Sequence, residues 1–339
     1  MTTTTSTPPL KKKDFQSDQE VRWCPGCGDY AILNAVQSVF PTLGIPREKF
    51  VVVSGIGCSS RFPYYMNTYG FHTIHGRGPT VASGIKLADP SLSVWLITGD
   101  GDGLSIGAGH LMHLLRRNVG VNVLLFDNRI YGLTKGQYSP TSEAGKKTKS
   151  TPLGSVDDPV NPLLVALGAG ATFVANGVDV YAKELQETLS AAAAHEGGSF
   201  VRIFQNCNIF NDGAFKPFTD RGTRAAHNLY LRAGEPLEFG EKEARRGFRW
   251  SGHRLESVLV ESETDRASLA IFDPHDEVLA AQLARFEFPH QPVPIGTIYQ
   301  TTRPTFEERT HEQIRNASTR DPGPDLQALV AGTDSWTHQ

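Results

Sequence analysis

The chain has 339 residues, with 33 Lys and Arg against 36 Asp and Glu and a formal net charge of -3. That near-neutral balance, with no long basic run, argues against a charge-driven nucleic-acid or anionic-membrane partner, and no apolar stretch approaches the roughly 18 residues that span a bilayer. Four cysteines are too sparse for a disulfide scaffold, and the Thr-rich start lacks a secretory pattern, so a cytoplasmic protein with metal- or redox-type cysteines is expected.

In chain order, residues 1–20 are polar and are expected to be a loose arm. After Cys24-Pro25-Gly26-Cys27, an amphipathic helix is expected from Asp29, ended by Pro41. Phe50–Ser54 reads as a buried strand entering the Gly55-Ile56-Gly57 turn. A second strand, Ser93–Thr98, runs into Gly99-Asp100-Gly101-Asp102-Gly103, followed by a helix over about Leu104–Arg117 and a third strand, Val121–Phe126, ending at Asp127-Asn128. Residues 129–160 form a long polar stretch without a period, a length more often functional than structural. The pattern resumes with a helix near Asn161–Leu167, a strand at Ala171–Ala175, a helix at Val180–His195 and a strand at Ser199–Phe204. Continuous apolar strands alternating with helices predict an α/β fold built on a doubly wound, mostly parallel sheet over residues 21–213. Residues 214–317 are expected to be a wrapping extension with a helix near His275–Phe286, and residues 318–339 a disordered tail.

In such sheets ligands sit beyond the strands' C-terminal ends. Asp100 and Asn128 take that position on two neighbouring strands, and Gly99, Gly101 and Gly103 let the backbone approach a phosphate at a helix start. Asp100, the Asn128 amide oxygen and the Ile130 carbonyl are oxygens suited to Mg²⁺. A plain tight turn and a loop-capping Asn are the alternative. The pairing of strand, Gly-Asp-Gly, one helix, strand and Asn resembles the thiamine-diphosphate motif. A dinucleotide fingerprint is absent.

Cys24 and Cys27 share a tight loop, Cys58 follows after 30 intervening residues and Cys207 after 148 more, the last two at strand ends. Four thiolates suit Zn²⁺ or a [4Fe–4S] cluster. A redox Cys-x-x-Cys pair and buried apolar cysteines remain open alternatives.

Together Trp23-Cys24-Pro25-Gly26-Cys27-Gly28, Gly55-Ile56-Gly57-Cys58-Ser59, His75-Gly76-Arg77, Gly99-Asp100-Gly101-Asp102, the run Asp127–Gln137 and Asn206-Cys207 resemble the beta subunit of 2-oxoacid:ferredoxin oxidoreductases, most closely the 2-oxoglutarate subgroup. The resemblance spans about residues 14–310. It implies that Cys24, Cys27, Cys58 and Cys207 ligate one [4Fe–4S] cluster, and that Asp100, Asn128 and Ile130 ligate Mg²⁺. Thiamine diphosphate would be held by Gly57, Cys58, Ser59, His75, Gly99, Asp100, Gly101, Asp102, Asn128, Ile130, Tyr131, Gly132 and Leu133. Arg61, Leu133 and Lys135 are the implied substrate contacts, with Arg61 placed to take a distal carboxylate, and His75 an implied proton-transfer residue.

The implied reaction is CoA-dependent oxidative decarboxylation of 2-oxoglutarate to succinyl-CoA and CO2, with electrons passing through the cluster to ferredoxin. Pyruvate is the alternative substrate, and a non-redox thiamine enzyme with structural zinc, or a noncatalytic scaffold, the alternative roles. Only one sheet is evident, so the carboxylate that activates the aminopyrimidine is expected from an alpha subunit, in a dimer of αβ pairs.

Overall fold

The computed structural model describes residues 9–241, 244–320, 323, 326–332 and 336. Strand β1 (Phe50–Ser54) is buried at all five positions, with Val51 and Val53 in one core layer and Phe50 and Val52 in another. β3 (Ser93–Gly99) and β4 (Val121–Asp127) repeat that division: Leu96, Val123 and Leu125 face the first layer, and Trp95, Ile97, Leu124 and Phe126 the second. Side chains alternate across a strand, so a run apolar at every position requires cover on both faces.

Helices supply that cover. α1 (Asp29–Val39) and α5 (Ala182–Ala194) pack on the second layer through Ile32, Val36, Leu185 and Leu189. α2 (Gly78–Ala88), α3 (Ala108–Arg117), α4 (Pro162–Gly168) and α9 (Glu277–Leu283) pack on the first. The eight-stranded sheet runs β2-β1-β3-β4-β6-β5-β11-β7, where β2 is Tyr69–His72, β5 Phe173–Val178, β6 Ser199–Phe204, β7 Asn228–Tyr230 and β11 Val293–Gln300. Its six members from β2 to β5 are mutually parallel, and β11 pairs antiparallel with β5.

The expected doubly wound sheet is therefore present, with shifts at its margins. The strand expected at 171–175 is Phe173–Val178, and the helix expected from Leu104 is split into a π-helical turn over Asp102–Ile106 and α3. Residues 129–160 contain neither helix nor extended strand. The stretch 214–317 does more than wrap. Short helices α6 (Lys216–Thr219) and α7 (Arg224–His227) lead to β7, which pairs with β11 at the edge of the main sheet. A separate antiparallel sheet, β10-β9-β8, is formed by β8 (Glu238–Phe239), β9 (Arg246–Ser251) and β10 (Arg254–Leu259). It is followed by α8 (Glu263–Ala267), and Phe248 and Leu237 join the first core layer.

Of the arm, residues 1–8 lie outside the described residues, while residues 12–15 form a 3₁₀ turn that buries Phe15 edge-on to Phe40 and Phe50. That ring anchors residues otherwise polar enough to read as loose. In the tail, residues 318–320 close α10 (Phe306–Arg320) and residues 326–331 form α11 (Leu326–Ala331). The remaining tail positions described are 323, 332 and 336, and the others lie outside the described residues. Among the described residues no helix is long and apolar enough to cross a membrane.

Candidate active site

The turns after β1, β3 and β4 open on one rim of the sheet. One cavity there is lined by all thirteen residues expected around a diphosphate, from Gly57 to Leu133. Two glycines are demanded by the geometry. Gly57 has φ +138, and a Cβ on Gly101 would stand 2.1 Å from the Tyr131 ring, which lies over that turn and donates its hydroxyl to the Gly101 carbonyl at 3.1 Å.

Asp100 is buried, and its Oδ2 accepts hydroxyl protons from Ser139 at 2.5 Å and Thr141 at 2.6 Å. Thr141 also contacts Asp127 Oδ1 at 2.8 Å. Burial first, and the neighbouring Asp127 charge second, push the Asp100 carboxyl up to about 7. A buried carboxylate held away from its ionised form by desolvation is a fitting ligand for a divalent cation, whose charge would reverse the penalty. Asn128 completes the donor set: its Nδ2 donates to Gln205 Oε1 at 2.9 Å and its Oδ1 takes the Ile130 N–H at 3.1 Å. The oxygen-rich set of Asp100, Asn128 and Ile130 fits Mg²⁺ in kind.

Asp102 has a different task. Its Oδ1 accepts from the Ile56 N–H (3.1 Å), the Gly76 N–H (2.7 Å) and His75 Nδ1 (2.6 Å), and its Oδ2 from Thr98 Oγ1 (2.7 Å). It lines the cavity but spends both oxygens joining the β1 turn, the loop before α2 and β3. His75 is thereby fixed through Nδ1, on the wall of the cavity.

A second cavity, about 250 Å³, is lined by Cys24, Cys27, Cys58 and Cys207 together. Three separate chain segments meet there: the loop before α1, the turn after β1 and the loop after β6. Among the described residues, no group of three or more His, Cys, Asp or Glu side chains is arranged about a point as one metal ion would require. Instead the thiols surround a volume. Cys58 Sγ and Cys207 Sγ both flank Gly132, 3.5 and 3.6 Å from where its Cβ would be. Trp23 donates its indole N–H to the Cys58 carbonyl at 2.7 Å and Asn208 donates to the Pro25 carbonyl at 2.6 Å, fixing two of the cysteine-bearing loops.

Burial pushes the Cys58 thiol up to about 12, with the Asp29 charge and Cys207 adding to it, and pushes Cys27 up further for the same leading reason. Asp29 is fully buried with no hydrogen-bond partner on either oxygen, and burial raises it to about 7. Thiols so disfavoured as free thiolates fit a role as ligands of a positively charged centre, which would deprotonate them.

Cys58, Asn128, Gly132 and Leu133 line both cavities, so the two sites share a wall. Arg61 and Lys135 stand with the thiols, Arg61 half-buried and Lys135 exposed at φ +76. Arg61 also borders a third depression with Gly57, His72 and Leu133. Leu133 is the one implied substrate residue that also lines the first cavity.

Residues 55–203 match the family model described as thiamine pyrophosphate enzyme, C-terminal TPP binding domain. The 2-oxoglutarate oxidoreductase subunit KorB of Mycobacterium tuberculosis is 48% identical over 340 residues, covering 98% of this chain and 90% of that protein. The chain belongs to the 2-oxoacid:ferredoxin oxidoreductase beta-subunit family. Another member, 2-oxoacid:ferredoxin oxidoreductase 1, subunit beta, of Aeropyrum pernix, is 50% identical over 190 residues, 56% of this chain and 60% of that protein. The solved 2-oxoglutarate:ferredoxin oxidoreductase from Magnetococcus marinus, with 2-oxoglutarate, coenzyme A and succinyl-CoA bound, superposes at TM-score 0.76. That match has 36% identity and covers 96% of this chain and 97% of that chain. The family is one of thiamine-dependent oxidoreductases, and the matched segment is a thiamine-pyrophosphate-binding domain.

Several residues of the beta-subunit site carry no advance signal. Ser139 and Thr141 are ordinary hydroxyls in a polar loop, 39 and 41 residues from the Asp100 they hold. The unusual length of that loop is the single hint. Gln205 stands beside the recognised Asn206-Cys207 pair but reads as the end of a strand.

Proposed function

We infer that this chain is the beta subunit of a 2-oxoglutarate:ferredoxin oxidoreductase, a cytoplasmic enzyme making succinyl-CoA and CO2 from 2-oxoglutarate and CoA. The observation that carries the reading is the shared wall. Thiols of three chain segments line a cavity that shares Cys58, Asn128, Gly132 and Leu133 with the cavity suited to a diphosphate, which is the arrangement an electron-releasing thiamine reaction needs. When bound, thiamine diphosphate supplies an electron sink for the loss of CO2, and a [4Fe–4S] cluster supplies the acceptor for the electrons released.

The chain's own residues bind, orient and screen. Asp100, Asn128 and the Ile130 carbonyl would hold Mg²⁺, while the turns at Gly57 and Gly101 would let backbone N–H groups reach a diphosphate. Asp102 keeps His75 in one tautomer, Nδ1–H inward, leaving Nε2 to accept or return a proton on the cavity side. Cys24, Cys27, Cys58 and Cys207 hold the cluster. Arg61, reached from the cavity through Leu133, takes the distal carboxylate of the substrate, and Lys135 stands at the rim.

The relatives' names as beta subunits support an alpha subunit that completes the site, in αβ pairs that dimerise, with ferredoxin as the electron acceptor. The test is anaerobic co-production with that subunit. Iron and acid-labile sulfide are expected in the purified chain, with CoA-dependent ferredoxin reduction faster on 2-oxoglutarate than on pyruvate. Zinc in place of iron, or preference for pyruvate, would overturn the corresponding half of the reading.

A further inference from the structure

Gln205 is fully buried at the end of β6, 1% exposed, between the two cavities. Its backbone N–H donates to the Asp127 carbonyl at 3.0 Å, pinning it beside the end of β4. Its side-chain Nε2 lies 2.6 Å from the Asn206 carbonyl and 3.3 Å from Cys27 Sγ. A carbonyl only accepts, so the nitrogen end of the Gln205 amide must face Asn206 and Cys27. Its oxygen end is then obliged to face Asn128, and meets Asn128 Nδ2 at 2.9 Å. That contact in turn orients the Asn128 amide and commits its Oδ1 to the opposite side, where Ile130 N–H lies. One backbone carbonyl thus fixes two side-chain amides in sequence. The same Asn206 carbonyl also accepts the Gly28 N–H at 3.1 Å, tying the segment just after the Cys24–Cys27 loop to the strand end that carries Gln205.

We propose that Gln205 is a positioning residue that links the two centres, donating an N–H to the Cys27 sulfur on one side and orienting the Asn128 oxygen on the other. This rests on the reading of the four cysteines as cluster ligands and of Asn128 as a magnesium ligand. Each arm has its own consequence. Hydrogen bonds to cluster sulfurs favour the electron-rich reduced state, so this N–H holds the midpoint potential up. With Gln205 replaced, only the Ile130 N–H would still orient the Asn128 amide, and it would turn its nitrogen toward the metal more easily, so the Gln205 carbonyl contributes to the affinity for Mg²⁺ and the diphosphate.

The experiment uses the full chain co-produced anaerobically with its alpha subunit, as wild type, Gln205→Leu and Gln205→Met. Met keeps the length and unbranched shape of Gln, so a folded comparison exists where Leu packs poorly. Two quantities are read on each: the cluster midpoint potential by EPR-monitored titration, and the Kd for Mg²⁺–thiamine diphosphate by calorimetry. The expected result is an intact cluster with a more negative potential, together with cofactor binding weaker by about three- to tenfold, the size of one buried amide hydrogen bond. Unchanged values in a cluster-loaded variant would overturn the proposal, and a change in only one of them would overturn the link. A wild-type complex without iron and sulfide is a separate result. It would sink the reading of the cysteines and the proposal with it, and it is recognised before any variant is measured.

Discussion

The two rims of the main sheet are built to different rules. At the N-terminal rim the buried polar groups of the described residues are answered from within the chain, as two cases show. Asn118, in the left-handed region at φ 56, accepts from Thr172 Oγ1 (2.7 Å) and Gly198 N–H (2.9 Å) and donates to the Arg303 carbonyl (2.7 Å). Lys86 donates to the carbonyls of Pro90 and Leu92, each at 2.8 Å. At the C-terminal rim, Asp29 has no partner, Asp100 is buried with another carboxylate nearby, and two thiols are pushed far above their ordinary range by burial. Buried polar groups without internal partners are costly. Their concentration on one rim marks where the fold gives up stability that a ligand can restore, in keeping with the rule that ligands sit beyond the strands' C-terminal ends.

The sharpest way to break that contrast is to change one residue at the ligand rim. Asp100→Ala is expected to cut CoA-dependent 2-oxoacid oxidation by at least about 100-fold, since even outer-shell changes at metal sites cost about 10–100-fold. The iron content of the same variant should stay at the wild-type level. Loss of the iron together with the activity would mean that the rim is one structural unit and not two adjoining sites.

A matched pair tests the rims against each other. Thr141→Val keeps the shape but removes the hydroxyl shared by Asp100 and Asp127, and should weaken Mg²⁺–thiamine diphosphate binding by about 10-fold or more with little loss of stability. Asn118→Ala removes three hydrogen bonds and places Ala in a left-handed backbone position. It should cost about 2–4 kcal/mol in urea unfolding and leave cofactor affinity unchanged. If both variants lost stability and neither lost affinity, the difference between the rims would not be functional.

The same division explains what was legible in the sequence. β1, β3, β4 and β6 announce themselves because burial on both faces makes each a largely apolar run, broken only by single polar residues such as Asn122 and Arg202. β2 does not, because all four of its residues are exposed at the sheet edge, and β11 hides behind Pro294 and Gly296. α2 opens on Gly78-Pro79 after a glycine-rich turn and reads as loop. In the site, glycines, cysteines and strand-end carboxylates are visible because few other roles require them in those positions. Ser139, Thr141 and Gln205 are invisible because a hydroxyl or amide becomes specific only through its partner, and the partners lie 39, 41 and, from Gln205 to Asn128, 77 residues away. The arm's order rests on Phe15, with Leu10 packed against the same core layer and the Gln16–Met66 bridge, contacts that no period in the sequence betrays.

A smaller effect is expected at Arg61, at the outer edge of the ligand rim. Arg61→Leu should raise the KM for 2-oxoglutarate by about 10-fold through the loss of a charge-assisted carboxylate contact, and leave the KM for pyruvate near its wild-type value. Equal increases for both substrates would assign Arg61 to packing around Cys58 and not to recognition.

The smallest effect belongs to the opposite rim and carries a definite sign. Glu307 is 3% exposed at the start of α10 and accepts the Gly120 N–H at 3.0 Å. Burial raises its pKa, against the lowering from its own and the Gly120 backbone hydrogen bonds and from Lys86. A carboxyl whose folded pKa is raised contributes stability that is fully present below its unfolded value and is lost as pH rises through its folded value. Glu307→Gln still accepts from Gly120 but carries no titrating proton. The wild type should therefore lose ground relative to the variant as urea unfolding is moved from pH 5 to pH 8. The attraction to Lys86 appears only as Glu307 ionises and is already contained in the net upward shift. A wild type that holds or gains ground on the variant over that range would show that Glu307 is not desolvated as its burial implies. Adding Mg²⁺ and thiamine diphosphate should raise both curves equally, because this rim answers its polar groups without a ligand, and an unequal rise would dissolve the distinction between the rims.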